Sequence, residues 1–182
     1  VTRDLTTPEG LVLRAWTEAD APVLLAAFGS SPELARQAGR QVSGPDDARE
    51  WVRRRAALRA EDAAYFFAVT DGAGGALLGN VAVGSVDRAH DSGWVSYWTV
   101  EPARGRGVAA AGVRRLTDFC FGELGLHRLE LGHRTNNPAS CRVALRAGFA
   151  SEGIERGKLR YGDERYDVER HSRLSTDPVN QG

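Results

Sequence analysis

Apolar and polar residues recur with two periods along this chain, and the switches between them lay out its elements. Leu11-Val-Leu-Arg14 reads as a first strand behind a polar arm over residues 1–9. Val23, Leu24, Ala27 and Phe28 fall on one helical face, which predicts a helix over 18–28 capped by Thr17, with Pro22 tolerated in its first turn. A short helix or turn follows Ser30-Ser-Pro32 and ends near Gly39. Ser43-Gly-Pro-Asp46 opens a longer helix to Arg59, carrying Trp51, Val52 and Leu58; its run Arg53-Arg-Arg55 reads as a solvated face. Tyr65–Thr70 and Ala76–Val86 are strands joined by the hairpin turn Asp71-Gly-Ala-Gly-Gly75, and residues 93–100 form a third. Val108–Phe121 reads as a helix. Residues 127–133 form a strand with Leu129 and Leu131 on one side and Arg128 and Glu130 on the other. Asn137-Pro-Ala-Ser140 starts a helix that Gly148 stops. Phe149–Leu159 and Glu164–Leu174 close the chain as an antiparallel pair, before a loose tail over 175–182. This order predicts one α/β (α+β) domain over 1–182, a mixed twisted sheet of about seven strands flanked by helices.

Composition narrows the function classes. The chain has 182 residues, 42% apolar and 26% charged, with a formal net charge of zero. It can build a real core, and it lacks the excess charge of a disordered, nucleic-acid-coating or membrane-surface protein. Cys120 and Cys141 have no metal-ligand spacing, so no metal is expected; Cys120 falls on an apolar helix face and reads as core. Two thiols without a disulfide framework, no apolar leader and no membrane-length apolar run lead to the expectation of a soluble cytoplasmic protein.

The richest chemistry lies in Val100-Glu-Pro-Ala-Arg-Gly-Arg-Gly-Val-Ala-Ala-Ala-Gly112. It leaves a strand and enters a helix through a loop of small and basic residues. Gly105 and Gly107 free the backbone to turn its N–H groups toward a ligand, and the following helix adds unpaired donors at the positive end of its dipole. Arg104 and Arg106 add charges that suit phosphate oxygens. An anion cradle results, best matched to a pyrophosphate. Gly105, Gly107 and Ala110, with Glu130 in the next strand, also match the dinucleotide pattern G-x-G-x-x-A. Pro102 and the two arginines inside the turn are not part of that pattern.

Pro102-x-Arg-Gly-Arg-Gly-Val-Ala109, then Asn137-x-x-Ser140 and Gly148-Phe149, resembles the GCN5-related N-acetyltransferase (GNAT) superfamily, and the element order agrees along nearly the whole chain. Tyr97-Trp98 and the Asn-x-x-Ser helix resemble its ribosomal-protein N-terminal acetyltransferase branch (RimJ/RimL type). The resemblance implies a mostly antiparallel sheet whose central strands, 93–100 and 127–133, splay into a V that holds acetyl-CoA. Val100, Arg104, Gly105, Arg106, Gly107, Val108 and Ala109 would hold the cofactor, with amides near Val100 polarising the thioester carbonyl and Asn137 meeting the pantetheine arm. Ser140 would hydrogen-bond the leaving sulfur, with CoA as product. Many relatives carry a tyrosine acid where this chain has Ala144, and some carry a glutamate where it has Leu159. That leaves Glu130 as the candidate base, with Glu155, His133 or a water chain as substitutes. Trp94, Tyr97, Trp98 and Tyr161 are candidates for the acceptor groove. The expected partners are acetyl-CoA and an amine acceptor, either a protein or peptide N-terminus or a small molecule, with a homodimer admitted. A non-catalytic acyl-CoA-binding module and a dinucleotide binder stand as alternatives.

Overall fold

The computed structural model describes residues 3–32, 34, 42–72 and 75–178, and eight strands and four α-helices are delimited among these residues. The order is β1 (Leu5–Thr6), β2 (Leu11–Ala15), α1 (Ala21–Ser30), α2 (Pro45–Ala60), β3 (Tyr65–Asp71), β4 (Leu77–Asp87) and β5 (Ser92–Thr99). Then come α3 (Val108–Gly122), β6 (Arg128–Arg134), α4 (Pro138–Arg146), β7 (Ala150–Tyr161) and β8 (Glu164–Leu174). The sheet runs β1-β2-β3-β4-β5-β6-β8-β7. Every neighbouring pair is antiparallel except β5 with β6. That excludes the parallel doubly wound sheet that a dinucleotide fold requires.

The two faces of the sheet follow the period-2 alternation of its strands. Phe67 and Val69 point to one side, where α3 lays Val113, Leu116, Phe119 and Cys120 against them. Phe66 and Ala68 point to the other, where α1 and α2 bring Leu24, Phe28, Trp51 and Val52 onto Trp16 and Trp98. Cys120 is fully buried, and its apolar surroundings push the thiol pKa well up.

Two sequence expectations change. The polar arm contributes the eighth strand, because Leu5 is buried and pairs with Leu13. The helix over 18–28 becomes a 3-10 turn, Glu18–Asp20, followed by α1. The cause is Asp20, whose carboxylate accepts from the Thr17 N–H (2.8 Å) and from the two terminal guanidinium nitrogens of Arg14 (2.7 Å each), fixing the turn before the α-helix begins. The short helix near Gly39 and the tip of the Asp71–Gly75 turn lie outside the described residues. The turn is nonetheless closed by Asp71 N–H donating to the Ala76 carbonyl.

One polar clamp ties the start of β3 to the β4–β5 turn. Arg88 donates to both Asp62 oxygens (2.6 and 2.7 Å) and to the Leu124 carbonyl beyond α3 (2.5 Å), while the Tyr65 hydroxyl also donates to Asp62.

Candidate active site

Parallel pairing between β5 and β6 lasts only from Ser92–Arg128 through Gly93–Leu129 to Trp94–Glu130. Beyond those pairs the strands part, so the β5 edge over Val95–Thr99 has no ladder partner on that side. Two cavities occupy the resulting V. The first, of about 410 Å³, lies between β5, the N-terminus of α3 and α4; the second, of about 280 Å³, lies on the α2 side of the sheet. Tyr97, Trp98, Arg134, Asn137 and Ser140 line both. The cavities therefore meet.

The first cavity is floored by Arg104, Gly105, Gly107, Val108 and Ala109. Gly105 and Gly107 have φ of +74° and +79°, a left-handed backbone that other residues adopt only with strain. A Cβ at either would meet nothing, so the requirement is conformational. Gly107 is the N-cap of α3 and carries no capping side chain, and the first intrahelical bond runs from Ala111 N–H to its carbonyl. The amides of Val108, Ala109 and Ala110 are left without intrahelical partners, as a helix start demands. With Arg104 at the rim, this donor set fits a pyrophosphate. Arg106 points instead into a neighbouring depression beside Arg114 and Glu9. Val100 packs between the two cores, and its N–H already donates to the Leu78 carbonyl (3.0 Å), which occupies that amide.

Helix α4 supplies the opposite wall. The Asn137 Oδ1 accepts from Ser140 N–H (3.1 Å), as a capping side chain does, which leaves the amide nitrogen of this cavity-lining residue as a donor. The Tyr97 hydroxyl donates to the Ser140 carbonyl (3.1 Å) across the V. Burial pushes its pKa up, so it stays a neutral donor. Ala144, one turn after Ser140, is fully buried in the core.

The second cavity collects Trp94, Tyr97, Trp98 and Tyr161, all four aromatics singled out above, together with Trp51, Phe66, Asn80 and Leu159. It also holds Arg55, which the sequence pattern placed on a solvated face. Arg53 and Arg54 are exposed, and Arg53 pairs with Glu18. Arg55 instead lies 3.9 Å over the Trp51 ring and 5.0 Å from Phe66, with its Nε buried and unbonded. Desolvation lowers its pKa to about 10, so it still carries its charge at neutral pH. No Asp or Glu lines this cavity among the described residues. Glu130 lies outside both cavities, held between Arg128 (2.7 Å) and Arg170 (2.5 Å). Glu155 is engaged by Lys158 and Arg170.

His133 lines the second cavity, and its ring reaches behind the wall toward β8 and α4. There His133, Cys141, Glu169 and His171 bring one donor atom each to within 4.8 Å of one another. The sequence gives little sign of this grouping, because its members come from three elements.

Residues 10–150 match the family described as Acetyltransferase (GNAT) domain. The Bacillus subtilis (strain 168) protein named Probable N-acetyltransferase YjcK is 33% identical over 101 residues, 55% of this chain and 56% of that protein. The ribosomal-protein-serine acetyltransferase of Escherichia coli (strain K12) is 26% identical over 98 residues, 54% of this chain and 55% of that one. These alignments thus span little more than half the length of either relative. The solved structure of RimL, a ribosomal L7/L12 alpha-N-protein acetyltransferase in complex with coenzyme A, superposes with a TM-score of 0.81 at 19% identity, covering 94% of this chain and 98% of that one. No described helix is long and apolar enough to cross a membrane.

Proposed function

Because the chain belongs to the GNAT acetyltransferase family, we propose that it moves an acetyl group from acetyl-CoA directly to an α-amine, that of a protein or peptide N-terminus, with a negative charge close to it. The observation that carries this reading is the junction of the two cavities at Tyr97 and Ser140. A thioester reaching along the first cavity and an amine entering the second meet there without a covalent relay.

Acetyl-CoA supplies the activated acyl group and a thiolate leaving group. The chain supplies position and charge. The α3 amides and Arg104 hold the pyrophosphate, and the open β5 edge and the Asn137 amide nitrogen face the pantetheine arm. As the amine nitrogen bonds to the acyl carbon and the C–S bond breaks, the Ser140 hydroxyl donates to the departing sulfur. The amine proton leaves through water. An α-amino group titrates at about 7.7–8.0, so a useful fraction is already neutral near pH 7. A lysine-like or polyamine nitrogen, at about 10.4, needs a stronger base than the described acceptor wall offers.

Charge points the same way. Arg55 and Arg134 line the acceptor cavity and oppose a polycation, while Arg55 lacks a carboxylate partner among the described residues. A carboxylate beside the acceptor amine would complete it. The residue set also suits a cytosolic enzyme, since both cysteines are free thiols.

The test is release of free CoA with a panel of acceptors. Peptides with a free α-amine and an acidic second residue should turn over, and spermidine should not. Arg55→Gln should raise KM for the acidic peptides about tenfold to a hundredfold, the worth of a lost charged hydrogen bond. Preference for spermidine would overturn the acceptor assignment. Acetyl-CoA binding with no release for any amine would favour a regulatory acyl-CoA-binding module, the reading that Ala144 and Leu159 support.

A further inference from the structure

We propose that His133, Cys141, Glu169 and His171 form a binding site for one divalent transition-metal ion of the zinc class, which pins α4 to the β6–β8 pair behind the acceptor wall. The site is built by topology. His133 of β6 stands directly opposite Glu169 of β8, and Leu131 opposite His171, so residues 133, 169 and 171 share one face of the antiparallel pair. Helix α4 crosses that face and lowers Cys141 into the group.

The distances suit a single ion. The two Nε2 atoms are 3.1 Å apart, and each lies 3.6 Å from a Glu169 oxygen. Zinc–ligand bonds of about 2.0–2.3 Å in a tetrahedron set donor separations of about 3.3–3.8 Å. The widest separation in the group is within 4.8 Å, about 1 Å beyond the widest tetrahedral donor separation. Two imidazoles, a thiolate and a carboxylate are the donors zinc prefers.

The histidines are also set up as ligands. His133 Nδ1 lies 3.0 Å from the Arg134 carbonyl, which can only accept, so Nδ1 carries the proton and the Nε2 lone pair faces the group. A backbone carbonyl behind a ligating histidine is the usual support in metal sites. His171 is 1% exposed, and its Nδ1 has no partner. Without an ion the two Nε2 atoms, 3.1 Å apart, share one imidazole–imidazole hydrogen bond; with the His171 proton on Nδ1 instead, both present lone pairs to a cation. The ion would also fix the turn of α4 that carries Ser140, next in sequence to Cys141. Four protein ligands make the site closed and structural, independent of whether acetyl transfer takes place.

The full chain, stripped with a chelator and dialysed, should bind Zn²⁺ or Co²⁺ one to one, with a higher melting temperature. The Co²⁺ form should show a thiolate-to-cobalt charge-transfer band. Cys141→Ser should abolish that band. Cys141→Ser and Glu169→Gln, at half-buried positions that should leave the fold intact, should each weaken zinc at least about a hundredfold, the upper end of what a lost second-shell partner costs. Absence of binding by the unaltered chain overturns the proposal. So does zinc affinity that survives either substitution.

Discussion

Ser140 lines both cavities, while its own N–H and carbonyl are engaged by Asn137 and Tyr97. The backbone of the residue is therefore fixed independently of its hydroxyl. Ser140→Ala should keep acetyl-CoA affinity and lower turnover about a hundredfold, the lower end for loss of a positioned proton donor; single-turnover rates beside calorimetric affinities check it. Equal rates would remove the hydroxyl from the chemistry. Ser140, Asn137 and the glycine loop were legible in the sequence because each is a local motif. Arg55 was not, since a run of three arginines on a helix says nothing of which one turns inward over Trp51. The grouping of residues 133, 141, 169 and 171 was equally hidden, because it exists only once β8 returns beside β6.

At the scale of elements, the start of α3 combines a left-handed N-cap with unpaired amides. Gly107→Ala should cost about 1–2 kcal/mol in backbone strain and leave acetyl-CoA binding in place. Gly107→Glu should abolish binding, because its side chain competes for the same amides. Calorimetry of both variants decides it, and unchanged affinity in the second would refute the cradle. The clamp at the start of β3 has a pH signature. Arg88, and then Tyr65, donate to Asp62 and hold its carboxyl at about 2, below the ordinary 3.8. The unfolded chain takes up this proton first, so the clamp's contribution is whole above pH of about 4 and fades as pH falls toward 2. Asp62 is 43% exposed, so solvent screening limits the effect to ~1 kcal/mol or less. Urea midpoints between those pH values should fall less steeply in Asp62→Asn than in the unaltered chain. Strong periodicity made most elements readable in advance. A two-residue strand such as β1 has no period to detect, and the 3-10 turn depends on Arg14 reaching Asp20.

Across the whole molecule, the parting of β5 from β6 gives the proposed function a kinetic signature. Both cavities open to the same point, so acetyl-CoA and the amine should be bound together before transfer. Initial rates should give intersecting rather than parallel lines, and the chain incubated with acetyl-CoA alone should gain no acetyl mass. A stoichiometric acetyl-enzyme would contradict this scheme. The fold class was legible from the alternation of strands and helices. The point where the central pairing stops was not, because both strands keep the same alternation on either side of Trp94 and Glu130. The crowding of aromatics on the α2 side has one more consequence. All four tryptophans of the chain gather there, with Trp16 packed on Trp51 (5.2 Å) and Trp98 (6.1 Å), and Trp94 on the cavity wall. Intrinsic fluorescence should therefore respond when this cavity fills, so a quenching titration can test amine binding without any label.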